Sequence, residues 1–149
     1  MAKNAKQQEH YVNNKEFTAA VAEFNAKVKL AEAEGKTPPQ MSNYIGECIY
    51  KIATRLSTRP NFINYTYRDE MICDGIENCI QYIKNFNVEK SNNAFAYITQ
   101  ICYYAFLRRI QKEKKQVYIK QQVISRKILQ RDILSIPRRT QHNTNLTLR

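Results

Sequence analysis

The stretch SNYIGECIYKIATRL, Ser42 to Leu56, decides the fold. Its apolar residues Ile45, Ile49, Ile52 and Leu56 recur at steps of four, three and four, which puts them on one face of a helix. A strand would need strict alternation instead. Ser42 stands where a hydroxyl can accept from the free amides of a first turn, and Pro60 closes the segment. Upstream, Asn13 precedes Glu16 by three, the spacing of a capping box, and Phe17, Val21, Phe24 and Val28 make a second stripe. Gly35 is placed for a left-handed C-terminal cap, with Pro38-Pro39 beyond it. Downstream of an aromatic-containing loop, Asn61 to Tyr65, Thr66 is the expected N-cap of a third helix. Asp69 and Glu70 sit against the positive end of that helix, and its core stripe is Ile72, Ile76, Cys79 or Ile80, and Ile83. After a connection from Phe86 to Lys90, Ser91, Asn92 or Asn93 caps a fourth helix bearing Phe95, Ile98, Ile101 or Cys102, Ala105 and Ile110. Val117 to Leu134 is again helix-permissive, with Val123, Ile128 and Leu134 scattered among basic residues, until Pro137. Internal repeats and alternating runs between Gly-rich turns are both lacking. The expectation is an all-α chain: a flexible leader over 1–12, a compact bundle of four to five helices over 13–116, and a basic helical extension and tail over 117–149.

Length and composition agree with that reading. A chain of 149 residues, 43% hydrophobic with ten Tyr and six Phe, has the material for an ordinary buried core. No apolar run approaches the roughly 18 residues needed to cross a bilayer, and the start MAKNAKQQEH lacks a signal-peptide core, so an intracellular protein without membrane association is expected. Cys48, Cys73, Cys79 and Cys102 show no C-x-x-C spacing, and His10 and His142 lie near opposite ends. Buried free thiols are the expectation, with no metal site.

The net charge of +11 is unevenly spread: residues 1–107 carry 12 Lys and Arg against 11 Asp and Glu, residues 108–149 carry 12 against 2. Segregated positive charge suits a polyanion, because each neutralised phosphate releases condensed counterions. The same composition also suits a disordered, solubilising tail.

Catalytic patterns are lacking. Glycine occurs only at positions 35, 46 and 75, which leaves no phosphate-cradling G-x-x-x-x-G-K loop, and no serine sits in a G-x-S-x-G turn. A nuclease would need carboxylates beside the basic end, where only Glu113 and Asp132 follow Leu107. A binding protein is expected rather than an enzyme, with no cofactor. Glu70, Asp74 and Glu77 share one face of the third helix, opposite the isoleucines; this is a solvated surface or a dock for a basic or polar partner. In the fourth helix Phe95, Tyr97, Tyr103, Tyr104 and Phe106 run into Arg108, Arg109, Lys112, Lys114 and Lys115. One apolar stripe suffices to join a core. Rings on further faces are either platforms for unpaired bases, at about 1–3 kcal/mol per base, or half-buried tyrosines with their hydroxyls in water.

Residues 69–86, DEMICDGIENCIQYIKNF, resemble the second conserved region of bacterial sigma factors. In that family an acidic residue followed by Gly sits mid-helix and a Phe closes the segment; Asp74, Gly75 and Phe86 occupy those places. AFAYIT, Ala94 to Thr99, resembles the helix that reads and melts the promoter minus-ten element, with Tyr97 two residues before Thr99. More narrowly, YVNNKE at 11–16, EMICDGIE at 70–77, AYITQ at 96–100 and RIQKE at 109–113 are similar to the late-transcription sigma factors of T-even-type bacteriophages. The resemblance covers about residues 11–116 and implies a fold like sigma-factor domain 2.

It further implies a factor in the cytoplasm of an infected bacterial host. Such a factor binds the multi-subunit RNA polymerase core and directs recognition and melting of the minus-ten element of late promoters. The module that reads the upstream promoter element is expected to be missing. By this resemblance Glu70, Cys73, Asp74, Glu77 and Gln81 dock on the coiled coil of the largest polymerase subunit. Tyr97 stacks on a flipped base, and Thr99, Gln100, Tyr103, Tyr104, Arg108 and Arg109 complete the promoter-facing set. Lys112, Lys114 and Lys115 hold phosphates, which fixes register without reading sequence. The family's two tryptophans after the Thr are replaced by Gln100 and Ile101, and the chain has no Trp. Strand opening then falls to Tyr97, Tyr103 or Tyr104, or needs a co-activator. In the T-even-type family a C-terminal hydrophobic and acidic peptide binds the phage sliding clamp; residues 143–149 here carry two leucines and no acid, with Leu146 and Leu148 as the candidates. The alternative is a general helical DNA- or RNA-binding or packaging protein that uses the same basic end.

Overall fold

The computed structural model describes residues 11–137. It contains α1 (Asn14–Ala33), α2 (Asn43–Ser57), α3 (Arg68–Tyr82) and α4 (Ala94–Ser135), with a 3-10 turn at Ile83–Asn85. Among the described residues there is no strand, and the chain is all-α. The leader up to His10, Arg138, Arg139, His142, Leu146 and Leu148 lie outside the described residues.

The α2 stripe is buried as its spacing requires: Ile45, Ile49, Ile52 and Leu56 are each at most 4% exposed. Burying such a side chain stabilises the fold by about 1.5–3 kcal/mol. This face packs along α3 and against α1, and α1 also closes on the 3-10 turn. Ser42 caps α2 by accepting the Ile45 amide. Asn13 caps α1, but its side chain takes the Lys15 amide at 3.1 Å rather than the Glu16 amide of a capping box. At the other end Gly35 adopts φ +67°. The Gly35 amide donates to Glu32 O and the Lys36 amide to Ala31 O, which closes the helix with paired backbone bonds past its last turn.

Three sequence expectations are corrected, at Phe24, Thr66 and Cys73, and a fourth is narrowed. On α1, Phe24 is only partly buried, while Thr18 and Asn25 are buried. Asn25 donates to Ile83 O at 3.0 Å and Phe86 O at 3.1 Å, tying the end of the 3-10 turn to α1. Thr66 is not the N-cap of α3: the helix begins at Arg68, after Tyr67, with no side-chain cap. The Tyr65 and Tyr67 rings, 5.2 Å apart, both pack on the core, and the backbone turns through Thr66 between them. On α3 the inward stripe is the expected one with Cys79, not Ile80, in it: Ile72 and Ile83 are buried and Ile76 packs partly buried against the core. Met71, Ile72, Gly75 and Cys79 are buried, whereas Ile80 is 54% exposed. A Cβ at Gly75 would lie 3.0 Å from Phe106 Cε1 and 3.5 Å from Cys102 Sγ, so the small residue sets where α4 crosses. Finally, Cys73 is exposed rather than buried.

The two helical segments expected between Ala94 and Leu134 are one continuous helix, α4. Neither Gly nor Pro interrupts the sequence between Ala94 and Pro137, so nothing breaks the hydrogen-bond ladder. Within it, Ala94, Ile98, Cys102, Ala105, Phe106 and Ile110 are buried. Phe62, from the loop before α3, fills the space beside them at 2% exposure, edge-on to Phe106 at 5.2 Å. The packed unit ends at Gln111, and a second unit begins at Lys112. In that second unit every described residue from Lys114 to Pro137 is exposed.

Candidate nucleic-acid interface

The start of α4 is held by side chains rather than by its own sequence alone. Its first amides have no intrahelical partner. Asn93 Oδ1 accepts the Ala96 amide at 2.9 Å, which selects Asn93 from the three capping candidates. From α1, Thr18 Oγ1 accepts the Ala94 amide at 3.2 Å and Asn14 Oδ1 accepts the Phe95 amide at 3.3 Å. Phe95 and the residues after it are thereby fixed against the end of α2.

Two adjoining hollows lie across this junction, and a third continues from them along α2. The first, about 500 Å³, is lined by Leu56 and Arg59 beside Asn93, Phe95, Ala96, Thr99, Gln100, Tyr103 and Tyr104 of the α4 side. The second, about 260 Å³, shares Leu56, Arg59, Phe95 and Thr99 with it and adds Tyr11, Ile52, Arg55 and Thr58. The third, about 560 Å³, shares Tyr11, Arg55 and Thr58 with the second and continues over Tyr50, Lys51 and Thr54. Among the described residues no carboxylate lines any of the three. The cations are Lys51, Arg55 and Arg59, spaced by four along α2 and just past its end. The Arg55 guanidinium lies 4.9 Å from the Tyr11 ring centroid, within cation–π range. Burial raises the Tyr11 pKa, and the charges of Arg55 and Arg59 oppose the rise. Thr54 lines the third hollow, and its hydroxyl oxygen is itself buried with no hydrogen-bond partner. Rings, cations and hydroxyls without acids are the composition that binds a single strand, with bases on aromatic faces and phosphates on basic side chains.

The promoter-facing residues expected from the sequence separate into groups. Thr99, Gln100, Tyr103 and Tyr104 line the first hollow. The Thr99 hydroxyl donates back to Phe95 O at 2.8 Å. Tyr103 is wedged edge-on against Phe62 at 5.6 Å, and Tyr104 stands 50% exposed beside it. Tyr97 is placed elsewhere: its hydroxyl donates to Tyr82 O at 3.0 Å and its ring lies 5.2 Å from Phe86. Burial raises its pKa above the ordinary value. Arg108 is exposed. Arg109 forms a bidentate ion pair with Asp74, Nε to Oδ2 at 2.6 Å and Nη2 to Oδ1 at 2.7 Å. Lys112, Lys114 and Lys115 are exposed within the second unit.

The Asp74–Arg109 pair joins one residue expected to face polymerase with one expected to face DNA. Asp74 is therefore partly buried, which corrects its expected place on the solvated face. Glu70, Cys73, Glu77 and Gln81 are exposed, at helical steps of three, four and four, and form the outward strip of α3. On the opposite side of α3, Cys79 Sγ lies 3.4 Å from Cys102 Sγ. The contact with Cys102 and burial push the Cys79 thiol up, so it stays protonated in the core.

Sequence reasoning missed Tyr11, Lys51, Arg55 and Arg59. The four-residue spacing of the three cations was legible as a helix edge, but their meeting with Tyr11 and Phe95 is a tertiary fact. Among the described residues no three or more His, Cys, Asp or Glu converge as a metal site, and no helix is long and apolar enough to cross a membrane. No protein-family model matches the chain, and comparison with curated proteins gives no match.

Proposed function

We propose that this protein is a promoter-specificity subunit of the sigma-factor type, a binding module without chemistry of its own. The outward strip of α3 docks on the coiled coil of a bacterial RNA polymerase core, and the hollows between α2 and α4 receive the unpaired strand of a late-promoter minus-ten element. The observation that supports this reading is the run of hollows lined by Tyr11, Tyr103, Tyr104, Lys51, Arg55 and Arg59, with no carboxylate among the described lining residues. Capturing an unstacked base between rings offsets the few kcal/mol that unpairing demands. Tyr103 and Tyr104 take the capturing role in place of the missing tryptophans, while Tyr97 supports the helix from behind.

The test is run-off transcription with purified core polymerase on an AT-rich late promoter, with permanganate reactivity of thymines reporting open complexes. Glu70→Lys is expected to prevent assembly with core. Arg55→Ala combined with Arg59→Ala is expected to leave assembly intact and lower thymine reactivity at least tenfold. Polyanion binding that needs no polymerase and gives no promoter selection would replace this reading with the general nucleic-acid-binding alternative.

A further inference from the structure

Lys51, Arg55 and Arg59 follow one another at steps of four along one edge of α2 and the turn that closes it. Four residues of helix rise about 6 Å, and side chains at that spacing stand one above the other. The Thr58 amide donates to Arg55 O and the Arg59 amide to Leu56 O, so the backbone keeps turning past Ser57 as far as Arg59. All three cations are exposed, and among the described residues none of them forms an ion pair. One turn earlier on the same edge the charge reverses at Glu47, which is exposed and does not line the hollows. The cations also alternate with the hollows. Arg59 lines the first and the second, Arg55 the second and the third, and Lys51 the third alone. Each hollow has an aromatic wall: Tyr103 and Tyr104 in the first, Tyr11 and Phe95 in the second, Tyr50 and Tyr11 in the third.

We infer that this edge of α2 holds three successive nucleotides of the unpaired strand in fixed register, one base per hollow and one phosphate per cation, and that the track ends before Glu47. The inference rests on the function proposed above and adds the length, the order and the boundary of the strand's path. A single strand presents bases and phosphates in strict alternation, and the α2 edge presents rings and cations in the same alternation. Bases stack on aromatic side chains whatever their identity, while the cations follow the backbone. Phosphate contacts position a strand and carry no sequence information, so Lys51, Arg55 and Arg59 set which nucleotide meets which hollow. Arg55 serves both parts, because a guanidinium stacks on a ring with its face and donates to a phosphate with its edge. At Glu47 a fourth phosphate meets a like charge instead of a partner. Duplex DNA does not fit this edge, since paired bases cannot enter separate hollows.

The test uses holoenzyme made from the full chain and purified core polymerase, bound to a late promoter whose minus-ten region is held open by mismatches. Lys51→Gln, Arg55→Gln and Arg59→Gln are each expected to reduce the slope of log affinity against log salt by about 0.7, and the three together by about 2. Lys29→Gln, an exposed change on α1 that lines none of the hollows, is expected to leave the slope as it is. Removing single bases from the open strand is expected to weaken binding at least fivefold at three consecutive positions. Tyr50→Ala should abolish the loss at one end of that triplet, and Tyr104→Ala the loss at the other end. Unchanged helical circular dichroism shows that each variant is folded, as exposed positions with good helix formers predict. A triple glutamine variant with the wild-type slope overturns the inference and leaves the proposed function standing. Tyrosine effects that fall on the same base also overturn it, as does an equal change of slope on a fully paired duplex, because the contact is then charge alone. A wild-type chain that ignores core polymerase overturns both this inference and the function on which it rests.

Discussion

Replacing Asp74 with Asn, Arg109 with Gln, and both together measures how much of the acidic face belongs to the fold. The pair has two hydrogen bonds at 2.6 and 2.7 Å, and its side chains are 29% and 18% exposed. Two unit charges about 4 Å apart attract by about 4 kcal/mol at an effective dielectric near 20. Desolvation of both groups cancels a large part of that, which leaves a coupling of about 1–2 kcal/mol. Each single change is expected to destabilise by roughly 1–3 kcal/mol, because it strands a half-buried partner. The double variant is expected to fall short of the sum by the coupling. For a body of this size that is a drop of roughly 3–8 °C in Tm for each single variant, read by thermal circular dichroism and confirmed in urea. Single effects that add to within about 0.5 kcal/mol refute the reasoning, since independent sites behave that way. A functional corollary follows: Asp74→Asn should weaken polymerase binding far less than Glu70→Lys, because Arg109 already occupies the Asp74 carboxylate.

The crossing of α3 and α4 gives a second expectation. Gly75→Ala places a methyl 3.0 Å from Phe106 Cε1, on a ring that Phe62 backs at 5.2 Å. Overpacking of about 1–3 kcal/mol should outweigh the roughly 1 kcal/mol gained in helix propensity; in a Phe106→Leu background, which makes room, the same change should be neutral or stabilising. A destabilisation of equal size in both backgrounds, measured in urea, removes Phe106 from the explanation. A third concerns pH. Burial holds Tyr97 and Tyr11 above the ordinary tyrosine value of 10.0 in the folded chain. Their neutral forms are favoured on folding, so this stability is complete below about pH 10 and is lost as pH rises through the folded values. Tyr97→Phe should therefore reduce the fall in urea midpoint between pH 8 and pH 11, and an unchanged fall contradicts the assignment.

Local pattern was enough for much of the architecture. The helix of Ile45, Ile49, Ile52 and Leu56 followed from spacing, the stop at Gly35 from the one residue that tolerates positive φ, and the charge imbalance from counting. These features depend on residues within a few positions of one another, and a linear string records such neighbours directly. It does not record which small residue two helices meet at, and on α3 that residue, Gly75, joins the isoleucine stripe. Gly75 and Cys79 meet Phe106 and Cys102 of α4, which decides between the two candidates Cys79 and Ile80 in favour of Cys79. The same holds for the site. Asp74 and Arg109 are 35 residues apart and looked like members of two separate surfaces. Tyr11 meets Arg55 and Phe95 where Thr18 and Asn14 of α1 hold the first amides of α4. Sequence alone determined that the chain is helical, where most of its helices start and stop, and where its charge lies. Tertiary packing decided which carboxylates of α3 stay exposed and which rings line the hollows, because both depend on what each side chain meets across space.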